Sequence, residues 1–155
     1  MPHVESLLRV ARRLTPDSAA AEDLVQETML LAWRGFHRFQ TDSNARAWLF
    51  RILLNAFYGQ GRKAQRAPVM PPAVGEGVRP MFQESAEIAQ ALDALSLEQR
   101  TVVLLAVVEG FTCGEIAGML NVPIGTVMSR LSRGREELRA SLAPSLMKTT
   151  RAAFQ

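Results

Sequence analysis

At 155 residues the chain can hold one domain or two small ones, and its 48% hydrophobic fraction is that of a folded protein, which excludes a disordered chain. A single cysteine excludes an internal disulfide and a cysteine-rich zinc site, and two distant histidines, His3 and His37, give no metal cluster. The net charge of only +3 is segregated: Thr15 to Trp33 carries Asp17, Glu22, Asp23 and Glu27 with no base, whereas Ser43 to Gly75 carries Arg46, Arg51, Arg62, Lys63 and Arg66 with no acid, which points to different partners for different faces. No apolar stretch approaches the ~18 residues of a membrane span and no apolar leader opens the chain, so a cytoplasmic protein without membrane insertion is expected. Neither cofactor nor metal is expected. An enzyme built on Cys113 as nucleophile lacks an oxyanion site and an orienting carboxylate, so no catalytic residue is assigned.

In chain order, Val4, Leu7, Leu8, Ala11 and Leu14 recur at helical spacing and predict a short amphipathic helix. Thr15-Pro16-Asp17-Ser18 is a turn rich in N-cap residues. A helix from about Ala19 to Arg34 follows, with Val25, Met29, Ala32, Trp33 and Phe36 as its apolar side, supported by Leu24 and Leu31. Asp23, Gln26, Glu27 and Leu30 align on a second face at i, i+3, i+4 and i+7. That face fits a solvated helix start complementing the macrodipole, and equally a binding surface that includes Leu30. The segment Gly35 to Asn44 is a loop in which Asp42, Ser43 or Asn44 can cap the next helix. His37, Arg38, Phe39 and Gln40 offer the aromatic, guanidinium and amide groups that stack on and hydrogen-bond an unpaired base, while Phe36 reads as a core residue. From Ala45 to Lys63 the stripe Ala45, Trp48, Leu49, Ile52, Leu53, Ala56 and Phe57 predicts a helix, with Arg46, Arg51, Asn55 and Tyr58 off the stripe. Its basic edge suits a nucleic-acid backbone or plain solubility.

Pro68, Pro71, Pro72, Pro80, Gly75 and Gly77 mark an aperiodic linker over 67–84, between a first unit at 1–66 and a second at 85–142. The second unit opens with a helix around Ser85–Leu95 on Ile88, Leu92 and Leu95. A capping box at Ser96 and Gln99 then starts an apolar helix ending at Glu109-Gly110. Thr112 with Glu115 is another capping box, before an apolar stripe of Ile116, Ala117 and Leu120. Asn121-Val122-Pro123 breaks the pattern, because proline disfavours helix in the residue before it and pre-sets a new first turn. The next helix places Ile124, Val127, Leu131, Gly134 and Leu138 on one side and Thr126, Ser129, Arg130, Arg133 and Arg135 on the other. Two helices joined this way form a helix-turn-helix whose second member presents hydroxyls and guanidiniums outward, as a major-groove reader does. The pattern also fits a helical hairpin with a solvated basic face. A short tail, 143–155, is expected to fray, and the fold class is all-α with two small helical domains.

Two stretches carry a resemblance. The run AEDLVQETMLLAWRGFHRF with NARAWLFRILLNAF resembles region 2 of the extracytoplasmic-function (group 4) bacterial sigma factors, and ALDALSLEQRTVVLLAVVEGFTCGEIAGMLNVPIGTVMSRLSRGREELR resembles region 4 of the same family. Together they span roughly Val4 to Leu142, in the family's order and with its linker. The resemblance implies that Asp23, Gln26, Glu27 and Leu30 dock on the β′ coiled coil of core RNA polymerase, with further contact to the β subunit. It implies that the loop at about His37–Asn44 captures an unstacked −10 base, and that Arg46, Trp48, Arg51 and Asn55 support melted promoter DNA. It implies that Thr126, Met128, Ser129, Arg130, Arg133 and Arg135 read the −35 element, and that an anti-sigma factor controls the protein. Met128 stands where the family often has lysine, Cys113 where it often has a small polar residue, and the first helix is short; no fused C-terminal module is expected. A sigma-like decoy that sequesters an anti-sigma factor without reading promoters is the alternative.

Overall fold

The computed structural model describes the backbone of residues 3–39, 44–66 and 86–153, with side chains over 3–39, 44–60 and 86–144. Every regular element among them is helical. The first unit comprises α1 (Val4–Leu14), α2 (Ser18–Gly35), which continues into a 3₁₀ turn at Phe36–Arg38, and α3 (Ala45–Arg66). The second comprises α4 (Ala86–Ala94), α5 (Leu97–Val103) with a π-helical turn at Leu104–Val108, α6 (Cys113–Leu120) and α7 (Ile124–Ala153). The expected linker and Gln40 lie outside the described residues.

Local chemistry accounts for the helix starts. Asp17 Oδ1 accepts from Ala20 N at 2.7 Å to open α2. Ser96 with Gln99 and Thr112 with Glu115 form reciprocal capping boxes at α5 and α6. Asn44 Oδ1 accepts from Arg46 N at 3.1 Å and Ala47 N at 3.2 Å, so Asn44 is the residue of its loop that caps α3. Between α6 and α7, Asn121 takes the left-handed conformation at φ 55°, a region asparagine tolerates better than most residues. At the α5–α7 crossing, a Cβ on Gly134 would lie 2.7 Å from Val103 Cγ2, so this close approach requires glycine.

The buried face of α2 is Ala21, Leu24, Val25, Thr28 and Ala32. Trp33 and Phe36, expected in that core, are instead 82% and 66% exposed. They lie on the last turn of α2 and just past it, where the chain is already leaving the helices that cover its middle. Ile88 is likewise exposed, and α4 packs through Ala91 and Leu92. Instead of ending near Leu142, α7 continues to Ala153 and carries Pro144 inside it, at the loss of one backbone hydrogen bond.

The two units share one core. Leu7, Val10 and Leu14 of α1, Leu24 of α2 and Phe50, Leu53 and Leu54 of α3 belong to the same buried cluster as Val102, Leu105, Phe111, Ile116, Met119 and Val127. Helix α3 is therefore sandwiched, with α2 on one side and α6 on the other.

Candidate nucleic-acid interface

The π-helical turn shapes the seam between the units. Its wide hydrogen bond, Glu109 N to Leu104 O at 3.0 Å, is followed by Gly110 at φ 75°, across which Phe111 N donates back to Leu105 O at 3.0 Å. Only glycine adopts that conformation readily, and it turns the chain so that Glu109 and Phe111 both face the first unit. Phe111 meets Phe50 edge-to-face at 5.2 Å between centroids.

Glu109 is the charged centre of the seam, with a side chain only 1% exposed. Its Oε2 accepts from Arg46 Nη2, and its Oε1 lies 3.6 Å from Arg9 Nη1. The Arg46 guanidinium also sits over the Phe111 ring, 4.4 Å from its centroid. Nearby, Asn44 Nδ2 donates to Glu115 Oε2 at 3.2 Å. Farther along, Tyr58 Oη and Thr101 Oγ1 are hydrogen-bonded at 3.1 Å. Burial pushes the Tyr58 phenol above its ordinary pKa, with the Thr101 hydrogen bond acting in the opposite direction. Arg100 closes the far end, donating to Arg13 O of α1 at 3.2 Å while capping the carbonyls of Leu92 and Asp93 in the last turn of α4 and of Leu95 just past it.

The acidic face of α2 is outside this seam. Asp23, Gln26 and Leu30 are exposed and half-buried Glu27 accepts from Gln60 Nε2, so the four expected docking residues do share one open surface. In the following loop His37 and Arg38 are exposed, and Phe39 stacks between Phe36, at 6.2 Å, and Trp48, at 5.0 Å. Phe36 thus joins an exposed aromatic stack. Arg51 and Asn55 are exposed on α3, but Arg46 and Asn44 are engaged by the second unit and present no free basic edge.

On α7, buried Val127 and Gly134 face inward, while Ser129, Arg133, Arg135 and Met128 (56% exposed) face out. Ile124, placed on the apolar side from sequence, is exposed as well. Thr126 and Arg130 are half-buried. Arg130 lines a cleft of about 410 Å³ with Asn55, Tyr58, Glu98 and Asn121, so residues expected to touch two different stretches of DNA meet at one opening. Met128 and Arg135 line a second groove, about 480 Å³, with Cys113 and Arg139. Among the described residues no group of histidine, cysteine and carboxylate side chains is placed to hold a metal, and no helix is long and apolar enough to cross a membrane.

Sequence reasoning did not single out Arg9 or Glu109 for a site. Glu109 appeared only as a helix end, because its partner on α3 is 63 residues away.

Residues 1–67 match the sigma-70 region 2 family and residues 85–138 match sigma-70, region 4. The chain is 35% identical over 142 residues to the ECF RNA polymerase sigma factor SigM of Mycobacterium tuberculosis, covering 88% of this chain and 71% of that protein. It is 35% identical to EcfG of Rhodopseudomonas palustris, covering 90% and 80%. Against SigE of Mycolicibacterium smegmatis, 34% identical, the match covers 97% of this chain but spans only 63% of the relative's length. Among solved structures, the sigma factor RpoE from Bartonella quintana, in complex with the anti-sigma factor NepR, superposes with a TM-score of 0.75 at 33% identity over 92% of both chains. CnrH, in complex with the cytosolic domain of CnrY, gives 0.66 at 26% identity, covering 92% of this chain and 84% of that one.

Proposed function

The chain belongs to the extracytoplasmic-function sigma factors of bacterial RNA polymerase, and from that membership we propose that it binds core polymerase in the cytoplasm and directs initiation at promoters with −10 and −35 elements. Its role is binding rather than catalysis. The open face of Asp23, Gln26, Glu27 and Leu30 takes the β′ coiled coil. The Phe36–Phe39–Trp48 stack with His37 and Arg38 takes an unstacked −10 base, with Arg51 and Asn55 along the adjoining strand. An anti-sigma factor completes the set of partners, in keeping with the NepR-bound sigma factor it resembles.

The observation that carries the reading is the outward face of α7. Behind a capped α6 and a left-handed turn at Asn121, Ser129, Arg133 and Arg135 project beside Met128, opposite Val127 and Gly134 in the core. Guanidiniums there supply salt-dependent phosphate affinity and bidentate contacts to guanine edges, and the smaller side chains add discrimination. Arg130→Ala and Arg133→Ala are each expected to cost about 1–3 kcal/mol of binding to a −35 duplex if they reach bases, or to flatten the salt slope by about one if they reach phosphates. Fluorescence anisotropy across a salt series checks this. Unchanged affinity and slope in both variants would refute the assignment of α7.

A further inference from the structure

The −10 and −35 names place the two elements about 25 base pairs apart, roughly 85 Å of B-form duplex at ~3.4 Å per step. Asn55 of α3 and Arg130 of α7 line one cleft, so the described arrangement cannot sit on both elements at once. Beside the shared apolar core, one charged cluster holds it closed. Arg9 and Arg46 converge on one carboxylate, and the Arg46 guanidinium sits over the Phe111 ring, 4.4 Å from its centroid. Two guanidiniums around an oxyanion, one of them against a π-face, is how a protein holds a phosphate next to a base.

We infer that Arg9 and Arg46 form a phosphate site for single-stranded promoter DNA on the first unit, and that in the free chain Glu109 and Phe111 fill it as internal stand-ins for a phosphate and a base. This rests on the reading of α3 as a DNA face. The energetics favour an exchangeable occupant. A buried ion pair adds little net stability, because desolvation offsets most of the attraction. Here one carboxylate oxygen, Glu109 Oε1, is buried without a hydrogen bond. A phosphate offers more acceptor oxygens and stays partly in water. The exchange therefore gives up a poorly satisfied ionic contact, and the apolar surface uncovered at Phe50 and Phe111 when the second unit moves to its own element is a cost that DNA and polymerase contacts together offset. The 3.6 Å Arg9 contact is the looser half of the site, so Arg9 is the residue whose role is expected to tighten on DNA.

The test uses the full chain and a fluorescein-labelled single-stranded 12-mer, with anisotropy read over a salt series. Glu109→Gln keeps the shape, removes the stand-in charge and is expected to raise affinity about tenfold, as removal of an internal competitor does. Arg9→Gln is expected to lower affinity and reduce the log–log salt slope by about 0.7, the loss of one single-strand phosphate contact. Should Glu109→Gln fold poorly by circular dichroism, a second variant decides. Asn55→Cys with Val122→Cys, two positions that line the same cleft, in a Cys113→Ser background and joined by a short bis-maleimide, is expected to bind at least about tenfold less tightly than the same variant with both thiols capped singly by N-ethylmaleimide. Oligonucleotide binding that is present yet unchanged by Glu109→Gln and by the crosslink would overturn the stand-in while leaving the DNA face of α3 intact. Absence of binding in every form would overturn both.

Discussion

Replacing Asp23 and Glu27 together by alanine is expected to weaken capture of core RNA polymerase about a hundredfold, since a pair of interface hot-spot side chains commonly contributes 2 kcal/mol or more. Asp23 is exposed and Glu27 half-buried on the same face of α2, two turns and one turn before Leu30, which is 59% exposed. An exposed leucine flanked by carboxylates is costly to leave in water only slightly, but as a contact it supplies the apolar centre that the acids surround. Neither carboxylate lies among the residues that hold the core together, so the variant should melt like the parent. Glu27 does accept a hydrogen bond from Gln60, and Gln60→Ala serves as the control for any loosening of α3 against α2. Titration of labelled core polymerase gives the affinity. Binding of a −35 duplex should be unaffected, because α7 lies in the other unit. Undiminished polymerase capture would remove the docking assignment.

The second large effect concerns stability. Phe50→Ala is expected to cost about 3–5 kcal/mol, the usual range for a large aromatic removed from a packed core. Phe50 is completely buried, and its ring contacts Phe111 across the seam, so the cavity would open between the two units rather than inside one. Because the buried cluster is continuous from α1 to α7, thermal unfolding of the parent should occur as one transition, and the variant's single transition should move down as a whole. Differential scanning calorimetry distinguishes this from two independent units. Two separate transitions in the parent, with only the lower one moved by Phe50→Ala, would contradict a shared core.

These expectations show where local pattern sufficed and where it did not. The capping boxes at Ser96 and Thr112 and the break at Asn121-Val122-Pro123 are readable because every group they need lies within three or four residues. The open face of α2 is likewise readable, since helical spacing alone puts Asp23, Gln26, Glu27 and Leu30 together. Helix α3 is different. Its sequence stripe, Ala45, Trp48, Leu49, Ile52, Leu53, Ala56 and Phe57, describes packing against one partner. Phe50 and Leu54 fall off that stripe and are buried because a second unit, distant in sequence, covers them. Met119 on α6 escaped the apolar pattern for the same reason. Arg46 reads as a basic edge until Glu109 is placed beside it, and nothing near either residue in the chain announces the other. Trp33 and Phe36 err in the opposite direction: apolar residues at helical spacing are ordinarily core, and here they are left exposed at the end of α2, where a binding surface would use them.

On the proposed function, one chain reads two promoter elements on behalf of polymerase. The decisive experiment is run-off transcription with core polymerase and this protein, on genomic fragments and then on a selected promoter with each element scrambled in turn. Transcripts are expected from a discrete set of fragments, requiring the added protein and lost or sharply reduced when either element is scrambled. Core polymerase that gains no promoter-specific transcript from the added protein, or transcripts indifferent to both elements, would contradict it.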